Sequence, residues 1–346
     1  MIPFDDTTLI DPLTGGDWDR SLLKYPNHGF FHTSAWAKVL HRTYGHRPVY
    51  FRCFRGPKPV ALLPLMEVRS PLTGARGVCL PFSDGCAPLV SEETDFESVV
   101  DLLAKTGRER DWKYFEIRGG SFNTAPASQI FYGHQLDLRP ENKTLLASFS
   151  AATRRAISKA QRSGLTVQIL RTRAAVLAYY QLHIRTRRQF GIPPQSLAFF
   201  LHIYEEIIKP GLGFIVLIQK GTQSVASAVF FQAGKNAIYK FGASDRCFQE
   251  LRGNNLAMWE AIRFLRQNGA ETVDFGRTSP ENDGLRRFKL GWGSVEETIK
   301  YHKFNIATGD WAHGKDHAST FHQAFFRRLP LRVNRLLGAL LYQHLD

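Results

Sequence analysis

The 346-residue sequence predicts an α/β protein of two tandem domains, each a mixed sheet with helices on its faces, and three observations predict it. The length exceeds what a single core usually fills. An imperfect internal repeat sets the same order of elements twice, roughly 160 residues apart, a period of domain size rather than solenoid size. Hydrophobic residues make up 43% and charged residues 22%, with 26 Phe and 6 Trp, which is enough apolar surface for two packed cores and argues against disorder.

The elements follow in order. A helix is expected over 34–42, then two strands at 49–54 and 60–65 joined by an Arg-Gly-Pro-Lys-Pro turn, then a further strand. A helix over 97–108 leads into a short strand at 114–118. The second copy repeats this with a helix over 174–190, strands at 214–219 and 225–231 around Lys-Gly-Thr-Gln-Ser, a further strand, a helix over 255–268 and a strand at 272–275. Helix, strand, strand, strand, helix, strand suits a mixed sheet. The turn signal Arg-Pro-Glu-Asn-Lys at 139–143 marks the boundary, so the domains are expected at 1–145 and 146–308, followed by a C-terminal segment at 309–346. In that segment Phe325, Phe326, Leu329, Val333, Leu336, Leu337, Leu340 and Leu341 alternate with Arg327, Arg328, Arg332 and Arg335 as in an amphipathic helix. A closing helix docked on the body ranks above a basic helix lying on acidic membrane.

Lys and Arg number 45 against 31 Asp and Glu, a formal charge of +14, which favours an anionic partner such as tRNA, a phosphorylated substrate or acidic lipid over a merely solvated basic surface. The densest basic stretch runs over 154–188, and Arg154, Arg155 and Lys159 are its candidate polyanion contacts. Cys53, Cys79, Cys86 and Cys247 show neither C-x-x-C spacing nor clustering with His, so they are expected as reduced core thiols, and no metal site is expected. The 12 His form no H-E-x-x-H, and there is no G-x-S-x-G, which leaves zinc-hydrolase and serine-hydrolase readings without support. The acidic start has no apolar h-region and no run is long enough to span a bilayer, so a cytoplasmic monomer is expected, in peripheral contact with the inner membrane surface at most.

Asp274-Phe275-Gly276-Arg277-Thr278, followed by Asp283-Gly284-Leu285-Arg286-Arg287-Phe288-Lys289-Leu290-Gly291-Trp292-Gly293, forms a Gly-rich, charged stretch after a strand. Loops after the carboxyl ends of α/β strands are where ligands usually bind, while a Gly-rich hairpin with solvated cations fits the same letters.

Here the sequence resembles the Fem family of peptidoglycan-bridge aminoacyltransferases and their stand-alone bacterial relatives. D-F-G-R-T, N-D-G-L and R-F-K-x-G-W-G are similar to the family's closing motif. His32 to Val39 resemble its first helix, Thr153 to Gly164 its basic segment, and Tyr239 to Ser244 its Y-x-Y-x-A-S strand. The resemblance implies two tandem acetyltransferase-type (GNAT-like) domains with a cleft between them, the C-terminal helix returning to the first, and transfer of an aminoacyl group from aminoacyl-tRNA to an amine of a cell-wall precursor or envelope glycan. It places Lys289 and Phe288 at the active site, where a fixed cation would stabilise the oxyanion formed as the amine attacks. It also places Lys38 and Arg188 at acceptor phosphates, and Trp36, Tyr239, Arg277 and Asp283 at substrate. No cofactor is implied beyond the tRNA co-substrate. Two departures bear on the acceptor: Phe241 replaces the strand's second Tyr, and no Asp follows the strand at 114–118, where Glu116 and Arg118 stand instead. The long helical-hairpin insertion of some members is missing. An acyl-CoA donor is the alternative, its pyrophosphate falling to the turn at 246–256, although Gly253 alone is a thin cradle. A non-catalytic RNA- or membrane-binding protein is the third reading.

Overall fold

The computed structural model describes residues 4–14, 16–25, 27–91, 96–120, 125–313 and 321–346, the side chains of 321–323 excepted. The chain divides into two compact units: residues 1–131, 298–317 and 342–346 form one, and residues 132–297 and 318–341 the other. The division departs from the expected breaks at 145 and 308. It falls inside two strands, Gln129–Asp137 and Val295–Asn305, rather than in the Pro-Glu-Asn-Lys turn.

In the first unit, strands β1 (Asp6–Ile10), β2 (Tyr50–Arg55) and β3 (Lys58–Leu63) pair antiparallel. Helix α1 (Ser34–Tyr44) buries Trp36, Ala37, Val39 and Leu40, a stripe at helical spacing, and ends where Gly45 takes φ 71°. The expected hairpin is thus present, but in a sheet separate from the next strands, β4 (Met66–Ser70), β5 (Gly74–Val78) and β6 (Trp112–Arg118). Helix α2 (Phe96–Glu109) is the crossover that makes β5 and β6 parallel. Val49, Phe51, Cys53, Leu63, Leu103 and Phe115 share the core.

The second unit is one sheet. Helix α3 (Ala151–Arg162) precedes β7 (Thr166–Leu170), and helix α4 (Arg173–Phe190) precedes β8 (Gly213–Lys220), β9 (Gln223–Ala233) and β10 (Asn236–Ser244). The pairing β7-β8-β9-β10 is antiparallel throughout. Helix α5 (Gly253–Gln267) then crosses over to β11 (Thr272–Asp274), which runs parallel to β10 and antiparallel to the end of Gln129–Asp137. The same strand–helix–parallel strand unit therefore occurs in both halves, as the repeat predicts. Trp259, Phe149, Trp292, Phe214 and Phe230 pack the core.

Helices α6 (Asp283–Leu290), α7 (Phe321–Arg328) and α8 (Leu331–Leu341) complete the second unit. The last two lie on α4, so of the closing segment at 309–346 only residues 309–317 and 342–346 belong to the first unit, where the whole segment had been expected. The backbone explains the seat: a Cβ on Gly338 would stand 2.0 Å from the carbonyl oxygen of Pro194, so only glycine lets α8 approach this closely. Cys53, Cys79 and Cys86 are buried, but Cys247 is exposed, against the expectation of a core thiol. Among the described residues no helix is long and apolar enough to cross a membrane.

Candidate active site

The site begins where β10 and β11 part. Their parallel pairing ends at Ile238 and Asp274, yet β10 runs on to Ser244 against β9 alone. The chain beyond β11 turns the other way: the Phe275 amide donates to the His134 carbonyl at 2.9 Å, and Thr278 bridges Tyr132. An opening between two diverging parallel strands follows.

Three helices border it. In α3 the Ser150 hydroxyl accepts from the Thr153 amide at 3.2 Å and caps the helix. Thr153, Ile157 and Ala160 face the core, so the opposite face presents Ala152, Arg155, Ala156 and Lys159. Helix α5 starts after Arg252, a non-glycine residue at φ 59°. The Gly-rich stretch expected as a loop forms helix α6 instead, because the Asn282 side chain caps it by accepting from the Leu285 amide and Asp283 supplies first-turn negative charge. A cavity of about 520 Å³ lies among them, lined by Arg155, Lys159, Arg252, Asn255, Arg287 and Phe288. A smaller one of about 150 Å³ shares Arg252, Asn255 and Phe288 and adds Ser244, Asp245 and Gly253. Asp245 caps its own loop by accepting from the Cys247 amide and lies 3.4 Å from Arg185.

Lys289 occupies the inner face of α6. It is buried, and its ammonium donates to the Gly276 carbonyl at 2.6 Å and the Arg277 carbonyl at 3.0 Å, which ties α6 to the chain leaving β11. One turn earlier Arg286 grips Glu296 through two bonds of 2.7 Å and stacks on Tyr132, holding the Glu296 carboxyl below its ordinary range. His134 Nε2 lies 3.0 Å from the same carboxylate, while burial and then the charge of Lys289 push the imidazole's pKa down.

The sequence-predicted residues sort clearly. Phe288 walls both cavities and meets Trp292 edge to face at 6.0 Å. Arg155 and Lys159 line the large cavity, Lys159 also reaching Glu250 at 3.3 Å. Arg154 does not join them: its guanidinium donates to the carbonyls of Ala147 and Phe149, closing the end of the preceding turn. Trp36 is fully buried in the first unit and donates to the Pro81 carbonyl at 3.2 Å, so it is a core residue and touches no substrate. Lys38, two residues further along α1, is half-buried. Arg188 lines a separate cavity of about 410 Å³ with Arg185, Gln189 and Arg327. Half-buried Tyr239 follows the point where the strands part, and burial pushes its phenol up to about 12. Its hydroxyl fills the space over Gly242, where a Cβ would stand 1.8 Å away. Arg277 is half-buried and gives its carbonyl to Lys289, while Asp283 is exposed at the start of α6. Phe241, the departure from the family strand, packs with Tyr179, Phe199 and Phe200, an apolar setting in which a hydroxyl would lack a partner. Sequence reasoning named Arg252 and Asn255 only within the 246–256 turn of the acyl-CoA alternative, and it assigned no role to Arg287 or Asp245. Only the helical spacing of Ala152, Arg155, Ala156 and Lys159 offered a signal.

Residues 147–293 match the acetyltransferase (GNAT) domain family, the same stretch that builds these cavities. Over 76 residues the chain is 34% identical to a lipid II:glycine glycyltransferase of Staphylococcus haemolyticus (strain JCSC1435). That match covers 20% of this chain and 18% of that enzyme, so the chain aligns with under a fifth of its relative's length. Among solved structures it is similar to FemX, with a TM-score of 0.67 and 15% identity over 85% of this chain and 96% of that one. It is also similar to a tandem GNAT protein from the clavulanic acid biosynthesis pathway, with a TM-score of 0.58 and 10% identity over 87% and 98%. The fold is that of a tandem acetyltransferase-type protein, as the sequence predicts.

Proposed function

We propose that this chain is an aminoacyltransferase whose second unit holds an aminoacyl-tRNA end and passes the aminoacyl group to an amine of a cell-wall precursor. The observation that carries the reading is the pair of neighbouring cavities that share Arg252, Asn255 and Phe288: a wide one lined also by Arg155, Lys159 and Arg287, and a small one lined also by Asp245. Four cations spread over three helices suit a phosphodiester chain. A carboxylate beside them suits the α-ammonium of an aminoacyl group and offers nothing to a plain acyl thioester. The matched glycyltransferase and the acetyltransferase domain support the same chemistry. In the transfer, the acceptor amine forms a C–N bond to the ester carbonyl carbon, the bond between that carbon and the ribose oxygen breaks, and the amine's proton passes to the departing ribose oxygen. Lys289 holds the Gly276–Arg277 backbone at the edge of the opening, and Phe288 walls both cavities.

The test compares charged tRNA with coenzyme A for binding and transfer, in the wild type and in Asp245→Asn. Charged tRNA is expected to bind, and Asp245→Asn to weaken the aminoacylated form about tenfold while leaving uncharged tRNA unchanged. Binding of coenzyme A in preference to charged tRNA would falsify the reading and favour the acyl-CoA alternative.

A further inference from the structure

Helices α7 and α8 carry more apolar surface than a helix pair docked on a protein in water uses. In α8 the inner face holds the buried Asn334 and Gly338 with the half-buried Leu331, Leu337 and Leu341, whereas Arg332, Val333, Arg335, Leu336, Ala339 and Leu340 face outward. Val333 is 42% exposed, Leu336 63% and Leu340 52%, and Phe325 on α7 is 55% exposed. Residues i, i+3 and i+7 lie on one helix face, so Val333, Leu336 and Leu340 make a continuous apolar stripe. A solvated helix places polar side chains at those positions.

Charge identifies what covers the stripe. Arg327, Arg328, Arg332 and Arg335 are interleaved with it, and no Asp or Glu occurs from residue 321 to residue 345. Arg335 lies over the Tyr180 ring at 5.5 Å, which anchors one guanidinium at the rim of the stripe. Apolar side chains flanked by arginines, without a single carboxylate, complement a surface that is apolar beneath and anionic at the level of its headgroups. A second copy of this chain would bring arginines against arginines.

We propose that the outer face of α7 and α8 docks on an anionic phospholipid bilayer, with Phe325, Val333, Leu336 and Leu340 entering the acyl boundary and the arginines meeting lipid phosphates. The inference stands apart from the transfer reading, since it uses none of the residues lining the two cavities beside Phe288. The test is flotation of the full chain with vesicles of phosphatidylglycerol and phosphatidylcholine, against phosphatidylcholine alone. Binding is expected only with the anionic lipid and is expected to weaken with salt. Leu336→Glu with Leu340→Glu should lower partitioning about tenfold or more, and Arg328→Gln or Arg332→Gln about fivefold each, all with unchanged circular-dichroism melting because these side chains are solvated. Equal partitioning of wild type and the Leu336/Leu340 variant overturns the proposal. So does sedimentation showing a wild-type dimer that this variant converts to monomer, which would make the face a self-interface.

Discussion

The two parallel strand pairs, one in each unit, began from the same pattern and differ in whether they are closed. In the first unit β5 and β6 stay paired to their ends: the Cys79 amide donates to the Glu116 carbonyl and the Cys86 amide to the Arg118 carbonyl, both at 2.8 Å. The space between them is filled. Trp112 lies so close over Gly77 that a Cβ there would stand 2.2 Å from its ring, and Glu67 pins the indole at 2.8 Å. Arg118 and Glu116 are buried as a pair at 2.7 Å, with Arg118 over the Tyr301 ring at 5.1 Å. In the second unit β10 and β11 pair only over 236–238 and 272–274, and Phe288, Arg252 and Arg155 line a cavity of about 520 Å³ in the same unit. Duplicated folds can thus leave a cavity in one copy and fill the other with a large aromatic and a satisfied ion pair.

The largest expected effect tests the open copy. Lys289→Met should cut transfer about 100 to 1,000-fold if the ammonium stabilises an oxyanion directly. As the tie between α6 and the chain after β11, its loss should also leave two carbonyls unsatisfied and lower stability by about 1–3 kcal/mol. Parallel melting and single-turnover measurements separate the two, and the geometry predicts that both fall.

Acid should act on both copies. Burial pushes His32 and His46 in the first unit down to about 4, and His183 in the second down to about 3. With folded pKa values below the unfolded value near 6.5, each contributes stability that is fully present above that value and lost as the pH falls below it, because the unfolded chain takes up protons first. The expected loss is about 1.4 kcal/mol per histidine per pH unit, down to the folded pKa. A melting temperature that stays flat between pH 6.5 and 4 would show these imidazoles to be solvated.

The seal itself can be broken. Gly77→Ala should cost about 1–3 kcal/mol, since Trp112 is pinned and cannot yield. Gly242→Ala, which meets the Tyr239 hydroxyl at 1.8 Å and its ring carbon at 2.9 Å, should cost less and be relieved in part by Tyr239→Phe. Equal costs at both glycines would mean that the two copies are equally tight.

The smallest effect separates neighbours on one helix. Arg155→Gln with Lys159→Gln should weaken tRNA binding and reduce its logarithmic salt slope by about 1 to 2. Arg154→Gln should leave the slope alone and lower the melting temperature instead, because that guanidinium serves backbone carbonyls. Loss of slope in Arg154→Gln would place it back at the cavity.

By itself the sequence determined the elements and their duplication. Hydrophobic periodicity and turn residues act over a few neighbours, so the helices at 34–44, 173–190 and 253–267 and the hairpins around Gly56 and Gly221 lie where the letters place them. It also named Phe288, Arg155 and Lys159, which line one cavity, because they belong to motifs that survive as strings. Three matters were left to the tertiary structure. Whether a cation faces a cavity or a carbonyl depends on which turn of which helix lies opposite, and this parted Arg155 from Arg154 and sent Lys289 inward. Whether Trp36 contacts ligand or core depends on the face of α1 that packs. Whether two parallel strands close or part depends on side chains remote in sequence, Trp112 over Gly77 in one copy and Phe288 beside Arg252 in the other. Contacts of that kind arise only when distant segments meet, and no local pattern encodes them.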